Sequence, residues 1–216
     1  NPYHYVNSQA PFVDPECLNH IRKYKYLLRT DVDTFLCPSI KNAYPRKNEI
    51  LVGKGGYASE ESTLKLNKIL EDRGLTNQEL HNIGSTWYTE SENGVREGAR
   101  TLDFVKYLLK ERFTKHEGKW PKWYAGVATM YGSHLALNSS NLKVTKTDKL
   151  DFFSTSEKNI SECYTIHCWH TDNFFSKHWF MSNRYTGRNP KELSQICCEY
   201  AYDCALNGKR IFTGID

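Results

Sequence analysis

A short apolar segment that runs directly into two acidic residues is the feature that most constrains this chain. Residues 26–30, Tyr-Leu-Leu-Arg-Thr, have the length and composition of a buried β-strand and follow a short helix pattern. Asp31-Val32-Asp33 comes next, and another apolar run, Thr34-Phe35-Leu36, follows. In open α/β sheets ligands bind beyond the carboxyl ends of the strands. Because two carboxylates between apolar runs are costly unless something binds them, we expect a ligand site here.

Patterns typical of helices and strands alternate along the rest of the chain. Asp14-Pro15 and Ser59 are predicted helix N-caps, and Gly74 is expected to end the helix that Ser59 begins. Apolar residues spaced by three and four predict a long amphipathic helix, namely Val95, Ala99, Leu102, Val105, Leu109 and Phe113. Segments 49–52, 142–145 and 162–168 are predicted strands.

Two further capping patterns complete the prediction of secondary structure. Thr76-x-x-Glu79 predicts one or two more helical turns, and Asn189-Pro190-x-Glu192 predicts the start of a last helix that Gly208 ends. Residues 82–87 are interpreted as a polar turn or as the lining of a sugar pocket, and 120–132 receive no assignment. The alternation predicts an α/β fold with a mixed, mainly parallel sheet flanked by helices.

The residue types of the Asp31-Val32-Asp33 segment favour a hard divalent cation. On a strand, residues i and i+2 point the same way, so Asp31 and Asp33 would face one ligand while Val32 turns into the core. Mg²⁺ and Mn²⁺ take oxygen ligands, commonly one or two carboxylates together with substrate phosphates. A metal held there can neutralise the charge that builds on a leaving diphosphate. The alternative is a polar strand end that caps a neighbouring helix.

A second cluster of polar groups lies at the end of the predicted strand 162–168. His167-Cys168-Trp169-His170-Thr171-Asp172 supplies two imidazoles and a carboxylate, and Lys177 follows five residues later. An imidazole can complete a Mn²⁺ site begun by carboxylates, and an ammonium can bind a diphosphate as a point charge. The alternatives are two buried histidines with satisfied hydrogen bonds and a surface lysine. The spacing of His167 and His170 does not fit a helical HExxH zinc site.

Segment 27–36 resembles the DxD region of GT-A-fold glycosyltransferases, which hold a nucleotide sugar through a divalent metal. It looks closest to an uncharacterised eukaryotic group with a TDVDTF-type core and a late His…Phe-Ser-Lys segment. The resemblance implies that Asp33 ligates Mn²⁺ or Mg²⁺ and that Asp31 contacts the metal, a water or the ribose. It implies that His167 or His170 completes the metal site and that Lys177 faces the diphosphate.

The chain departs from that family in its length before the acidic pair. A mononucleotide-binding half is built as βαβαβ, with each βαβ unit taking about 30 residues. Only 30 residues precede Asp31. We therefore expect a single glycosyltransferase-like domain over residues 1–216 that lacks part of the N-terminal nucleotide-binding half, as an N-terminally truncated fragment would. The acids considered for catalysis are Glu90, Asp148, Asp151 and Asp172, of which Asp172 lies nearest the late motif.

The resulting hypothesis is a metal-dependent transferase of a hexosyl or related sugar. Its donor is a nucleotide sugar, and its acceptor is a carbohydrate or glycoconjugate. One alternative is a catalytically silent GT-A-like module that binds carbohydrate or a protein. The second alternative is a metal-dependent phosphoesterase that uses the same acids and histidines.

Charge and cysteine content bear on partners and location. The formal net charge of +4 is small and the basic residues are interleaved with acidic ones, which argues against nucleic acid as a partner. No apolar run approaches the ~18 residues of a membrane span, although an anchor upstream is compatible with the sequence. Four or six of the seven cysteines could pair as disulfides in an oxidising lumen. This content favours the secretory pathway, in the Golgi or ER lumen, over the cytoplasm without deciding between them.

Overall fold

The computed structural model describes residues 4–114, 118–154, 156, 159–168, 175–189, 191 and 196–213. The chain forms two compact units, each assembled from two separate stretches of sequence. The first unit comprises Asn1–Arg29 and Tyr44–Thr147, and the second comprises Thr30–Ala43 and Asp148–Asp216. Both the acidic pair and the late cluster of polar residues therefore belong to the second unit.

The elements of both units are numbered along the chain. The strands are β1 (Tyr26–Arg29), β2 (Thr34–Leu36), β3 (Glu49–Lys54), β4 (Ile83–Glu90), β5 (Lys143–Lys146), β6 (Phe152–Phe153) and β7 (Thr165–His167). The α-helices are α1 (Pro15–Ile21), α2 (Glu60–Asp72), α3 (Ser91–Tyr107), α4 (Ala128–Asn138), α5 (Lys177–Met181) and α6 (Ile196–Thr213). A π-helical turn, Leu108–Arg112, continues α3, and short 3-10 helices span His4–Phe12, Pro38–Asn42, Ala125–Val127 and Ile160–Glu162.

A four-stranded sheet in the order β1-β4-β3-β5 forms the centre of the first unit. Strand β4 pairs antiparallel with β1 and β3, whereas β3 pairs parallel with β5. Helices α3 and α4 pack so closely that a Cβ atom on Gly132 would lie 2.5 Å from Cγ2 of Val105 and 2.9 Å from the carbonyl oxygen of Thr101. A glycine at position 132 is therefore what allows the two helix backbones to approach each other.

The local predictions for the first unit are mostly confirmed. The Asp14 side chain accepts a hydrogen bond from the Cys17 amide at the start of α1, and the Ser59 side chain caps α2 in the same way. The predicted strand at 49–52 is β3, the strand at 142–145 overlaps β5, and the amphipathic helix is α3 with its π turn.

Two predictions in the first unit are wrong. Residues 76–80 form no helix, and Glu79 has a positive φ of 57° that interrupts any helical turn. Of residues 82–87, interpreted as a polar turn or as the lining of a sugar pocket, residues 83–87 belong to the buried strand β4, whereas Asn82 forms a bend before it. The unassigned segment 120–132 contains the start of α4.

A three-stranded sheet in the order β2-β7-β6 organises the second unit. Strands β2 and β7 are antiparallel, with Thr34 opposite His167 and Leu36 opposite Thr165, while β6 and β7 are parallel. The buried core beside this sheet combines thiols and aromatic rings, including Cys37, Cys163, Ile166, Cys168, Phe175, Tyr185, Cys197, Cys198, Ala201 and Tyr202. The last helix runs on to Thr213, so the prediction that Gly208 ends it is wrong.

The α/β class and the mixed sheets flanked by helices are confirmed, but the prediction of a mainly parallel sheet is wrong. Antiparallel pairing joins β1 to β4, β3 to β4 and β2 to β7, and parallel pairing is limited to β3 with β5 and β6 with β7 among the described residues. A single domain and an N-terminal truncation stay predictions. Within the described part of the chain, no helix has the length and apolar character needed to cross a membrane.

Candidate metal centre

Two carboxylates and one imidazole of the second unit converge on one point. Because Thr34 lies opposite His167 in the β2–β7 ladder, Asp33 is placed next to the histidine. The Cys168 amide donates to the Asp33 carbonyl oxygen at 3.0 Å, which extends the pairing by one residue. Ligand atoms of Asp31, Asp33 and His167 all lie within 4.8 Å of one another. Among the described residues, they form the one group of three such side chains that could hold a metal ion.

The Asp31-Val32-Asp33 segment is a turn, so the prediction that it continues a strand is wrong. The Thr34 amide donates to the Asp31 carbonyl oxygen at 3.2 Å, which closes the turn just before β2. Val32 is fully exposed rather than buried in the core. The turn still brings both carboxylates to His167, with Asp31 Oδ2 at 3.9 Å and Asp33 Oδ1 at 3.4 Å from Nε2. The turn therefore directs both carboxylates toward one point, which the strand geometry had been expected to do.

Asp151 fixes the other side of the imidazole. Its carboxylate Oδ1 lies 3.4 Å from His167 Nδ1, and its side chain is 0% exposed. The Asp151 amide donates to Thr165 Oγ1 at 2.9 Å, which ties the residue to β7 two positions before the histidine. With Nδ1 directed at Asp151, Nε2 faces Asp31 and Asp33. A carboxylate behind a ligating histidine is the usual means of fixing its tautomer and ring orientation.

Asp151 is one of the four acids that the sequence offered as candidates for catalysis, and no feature of the sequence favoured it. Only the fold distinguishes it from the other three. A local signal exists, because Asp151 stands between the apolar residues Leu150 and Phe152. A buried carboxylate needs a partner with a positive charge or hydrogen-bond donors. The sequence does not indicate which group supplies that partner.

The charges of this cluster are strongly coupled. Burial opposes the charged form of His167, but its contacts with Asp151 and Asp33 outweigh burial and raise the pKa to about 9. Burial likewise opposes the charge of Asp33, whereas His167 and Lys177 hold the pKa of that carboxyl well below its usual range. Without a metal, the site at neutral pH therefore contains an imidazolium between carboxylates. A metal ion would bind the neutral imidazole and displace this proton.

Lys177 adds a second cation to the same carboxylate. Its ammonium Nζ forms an ion pair with Oδ2 of Asp33, while Oδ1 of Asp33 faces His167. Lys177 is the first residue of α5, and the Ser176 side chain caps this helix by accepting a hydrogen bond from the Trp179 amide. The cap sets where α5 begins and hence where the ammonium projects.

The other predicted site residues fall elsewhere. His170 and Asp172 lie outside the described residues, so their predicted roles as metal ligand and catalytic acid stay predictions. Asp148 is exposed. Glu90 belongs to the first unit, where its carboxylate accepts hydrogen bonds from the Asn48 amide and the Asn93 side chain, both at 3.4 Å.

The donor set fits a divalent cation of the Mn²⁺ or Mg²⁺ kind. Carboxylate oxygens suit both ions, and an imidazole nitrogen favours Mn²⁺ of the two. Ligands on opposite sides of an octahedral Mg²⁺ lie about 4.2 Å apart, twice the ion–oxygen distance. Ligand atoms within 4.8 Å of one another would need to move only slightly to fall within this span. Three protein ligands leave further positions for water or phosphate oxygens.

Comparison with known proteins assigns the chain to a family without assigning it a function. A family model described as Domain of unknown function (DUF7164) matches residues 1–213, and the chain belongs to this family. Neither the curated proteins nor the solved structures contain a significant match.

Proposed function

We propose that this member of the DUF7164 family is a metal-dependent glycosyltransferase-like protein that transfers a hexosyl or related sugar from a nucleotide-sugar donor. The observation that carries the proposal is the convergence of Asp31, Asp33 and His167, whose ligand atoms lie within 4.8 Å of one another although they come from distant parts of the sequence. The DxD-type segment and the late His…Phe-Ser-Lys segment, which the resemblance to GT-A enzymes singled out, are the stretches that supply these groups and Lys177. The acceptor is a carbohydrate or a glycoconjugate.

The residues of the site have distinct tasks in this proposal. Asp31 and Asp33 bind the cation through their carboxylates, and His167 binds through Nε2. Asp151 holds the imidazole so that this nitrogen faces the carboxylates. When bound, the cation neutralises negative charge on the diphosphate oxygens of the donor.

Lys177 supplies a second positive charge for the same diphosphate. Its ammonium pairs with Oδ2 of Asp33, so it already lies beside a predicted metal ligand. A bound diphosphate would compete with Asp33 for this ammonium, which would bind the diphosphate as a point charge. Lys177 therefore stabilises the negative charge of the leaving diphosphate. It has this role only when a diphosphate is bound.

Ligand-dependent stabilisation tests the metal site. We expect Mn²⁺ together with UDP, GDP or a sugar nucleotide to raise the free energy of unfolding by over about 2 kcal/mol at saturating ligand. Asp33→Asn removes this stabilisation because it removes one ligand charge. The matched control is Asp148→Asn, an exposed acid of the same unit that does not belong to the group of candidate ligands. Thermal unfolding with Mn²⁺, Mg²⁺ and Zn²⁺ gives the measurement, and the absence of a shift with every cation contradicts the proposal.

A second variant separates nucleotide binding from metal binding. Lys177→Gln is expected to keep the stabilisation by Mn²⁺ alone and to lose the added stabilisation by a nucleoside diphosphate. Equal shifts with and without nucleotide in the unmodified protein would favour a metal-binding module without a nucleotide donor. Turnover of a generic phosphoester with Mn²⁺ and no nucleotide would favour the phosphoesterase.

A further inference from the structure

The second unit contains two buried thiols that lie close to each other away from the metal centre. Sγ of Cys37 is 3.7 Å from Sγ of Cys163, and both residues are almost completely buried. All seven cysteines of the chain lie among the described residues, and each is a free thiol in this structure. Six of the seven belong to the second unit.

The position of this thiol pair relates it to the candidate metal centre. Cys37 follows β2 directly, and its amide donates to the Tyr164 carbonyl oxygen at 2.9 Å. Cys163 lies two residues before β7, and Ser39 Oγ donates to its carbonyl oxygen. The β2–β7 ladder therefore has the thiol pair at one end and Asp33 with His167 at the other.

We propose that Cys37 and Cys163 form a disulfide that covalently joins the segment carrying Asp31 and Asp33 to the segment carrying His167. The oxidant is a low-molecular-weight disulfide such as oxidised glutathione, or a protein disulfide of the same chemistry. One cysteine thiolate attacks the oxidant, forming a mixed disulfide and releasing one thiol. The second cysteine then attacks this mixed disulfide, forming the Cys37–Cys163 bond and releasing the second thiol. The two cysteine protons pass to the two thiolates that leave.

The geometry favours this bond over a thiolate metal site. A disulfide has an S–S length of about 2.05 Å, so the two sulfurs must approach by about 1.7 Å. Rotation of two side chains on neighbouring, hydrogen-bonded backbones can supply this movement. A thiolate metal site needs further ligands. No third cysteine, histidine or acid lies close enough to both thiols to complete one among the described residues.

The bond forms during folding rather than in the finished structure. The hydrogen bond with Cys163 and burial together raise the pKa of Cys37 far above that of a free thiol, so it is a poor nucleophile once enclosed. In the unfolded chain both thiols are accessible to the oxidant. Cys197 also lies within hydrogen-bonding distance of Cys163, which makes a Cys163–Cys197 bond the competing product.

The consequence is a cross-link that supports a very short ladder. Strand β2 has only three residues, so few backbone hydrogen bonds hold it to β7. The cross-linked positions are 126 residues apart. Closing a loop of this length restricts the unfolded chain and so stabilises the folded one. This inference does not rest on the proposed function, because the bond forms without metal or nucleotide.

Refolding of the full chain in oxidised and reduced glutathione tests the proposal. After alkylation and digestion without reductant, mass spectrometry is expected to find a Cys37–Cys163 cross-linked peptide and five free thiols instead of seven. The unfolding temperature should exceed that of the reduced protein by about 5 °C or more. Cys37→Ala and Cys163→Ala should abolish both effects, while Cys17→Ala, a thiol of the first unit, should preserve them.

Two results would overturn the proposal. One is seven free thiols after oxidative refolding, and the other is a Cys163–Cys197 cross-link in place of the expected one. If the alanine variants fail to fold, peptide mapping of the unmodified protein with and without dithiothreitol still decides between these outcomes, because the cross-linked peptide identifies which cysteines are paired. Neither result changes the stabilisation expected from Mn²⁺. A failure of the disulfide proposal is therefore distinguishable from a failure of the proposed metal-dependent function.

Discussion

At the scale of single residues, the candidate site depends on what lies behind His167. An isolated histidine between two carboxylates can rotate and can adopt either tautomer. The Asp151 carboxylate, fully buried and 3.4 Å from Nδ1, removes this freedom by fixing the proton on Nδ1. Asp151 is thus a positioning residue that would act on the metal through the histidine.

Replacing Asp151 tests this role. Asp151→Asn keeps the shape of the side chain but removes its charge, so we expect the affinity for Mn²⁺ to fall about 10–100-fold. The pKa of His167 should fall as well, because one of the two contacts that raise it is weakened. Titration calorimetry with Mn²⁺ and an NMR titration of the histidines give the two readouts, and Asp148→Asn is the matched control. Unchanged affinity together with a lowered His167 pKa would limit Asp151 to an electrostatic role.

At the scale of elements, two buried segments escaped sequence-based assignment for the same reason. Residues 82–87 suggested a polar turn, yet Ser85 and Thr86 are buried in strand β4, as is Thr89 further along it. The Thr89 hydroxyl donates to the Glu49 carbonyl oxygen at 2.7 Å, so its burial leaves no donor unsatisfied. Helix α4 is buried on nearly all sides and therefore lacks a polar face. Amphipathic periodicity detects half-buried elements and misses those that are enclosed.

The close packing of α3 on α4 leads to a prediction about stability. Gly132→Ala places a Cβ atom 2.5 Å from Val105 Cγ2 and 2.9 Å from the Thr101 carbonyl oxygen, where backbone must move. We expect the free energy of unfolding to fall by about 1–3 kcal/mol. The control is Gly208→Ala in α6, where no atom lies within 4 Å, and a gain of about 0.5–1 kcal/mol is expected from helix propensity. Urea unfolding of both variants measures the difference, and a neutral Gly132→Ala would contradict the packing argument.

At the scale of the whole molecule, two histidines with opposite shifts govern how stability depends on pH. His134 is buried, which lowers its pKa to about 3, whereas Asp151 and Asp33 raise the pKa of His167 to about 9 against the effect of burial. Below pH 6.5 the unfolded chain gains a proton that buried His134 does not accept, so stability falls. The stabilisation from His167 is complete below pH 6.5 and is lost as the pH rises through about 9. The metal-free protein is therefore expected to be most stable near pH 6.5.

Denaturant unfolding of the metal-free protein between pH 5 and pH 9 tests this dependence. A shift from 6.5 to about 9 corresponds to a stability contribution on the order of 3 kcal/mol, lost over the alkaline side of the profile. His167→Gln should flatten that side and leave the acidic side in place, because His134 is unchanged. An alkaline side that persists in His167→Gln would show that another group is responsible.

The sequence by itself determined part of the local structure and the chemistry of the candidate ligands. Caps at Asp14 and Ser59 and the periodicity of α3 depend on neighbours within a few residues, so they could be predicted. The expectation that carboxylate oxygens and an imidazole could bind one metal ion followed from residue types alone. These properties are local, and a chain displays them before it folds.

Only the tertiary structure decided which groups meet. The β2–β7 register brings His167 to Asp33 and sets Cys37 beside Cys163. The pairing of β6 with β7 and the Asp151–Thr165 hydrogen bond place Asp151 behind the imidazole. Antiparallel pairing of β4 with both of its neighbours likewise replaced the mainly parallel sheet that the order of elements had suggested. Strand pairing joins residues far apart in sequence, and its free energy comes from burial and hydrogen bonding across the whole sheet. No short stretch of sequence contains that information, so the contacts of each charged side chain are known only from the fold.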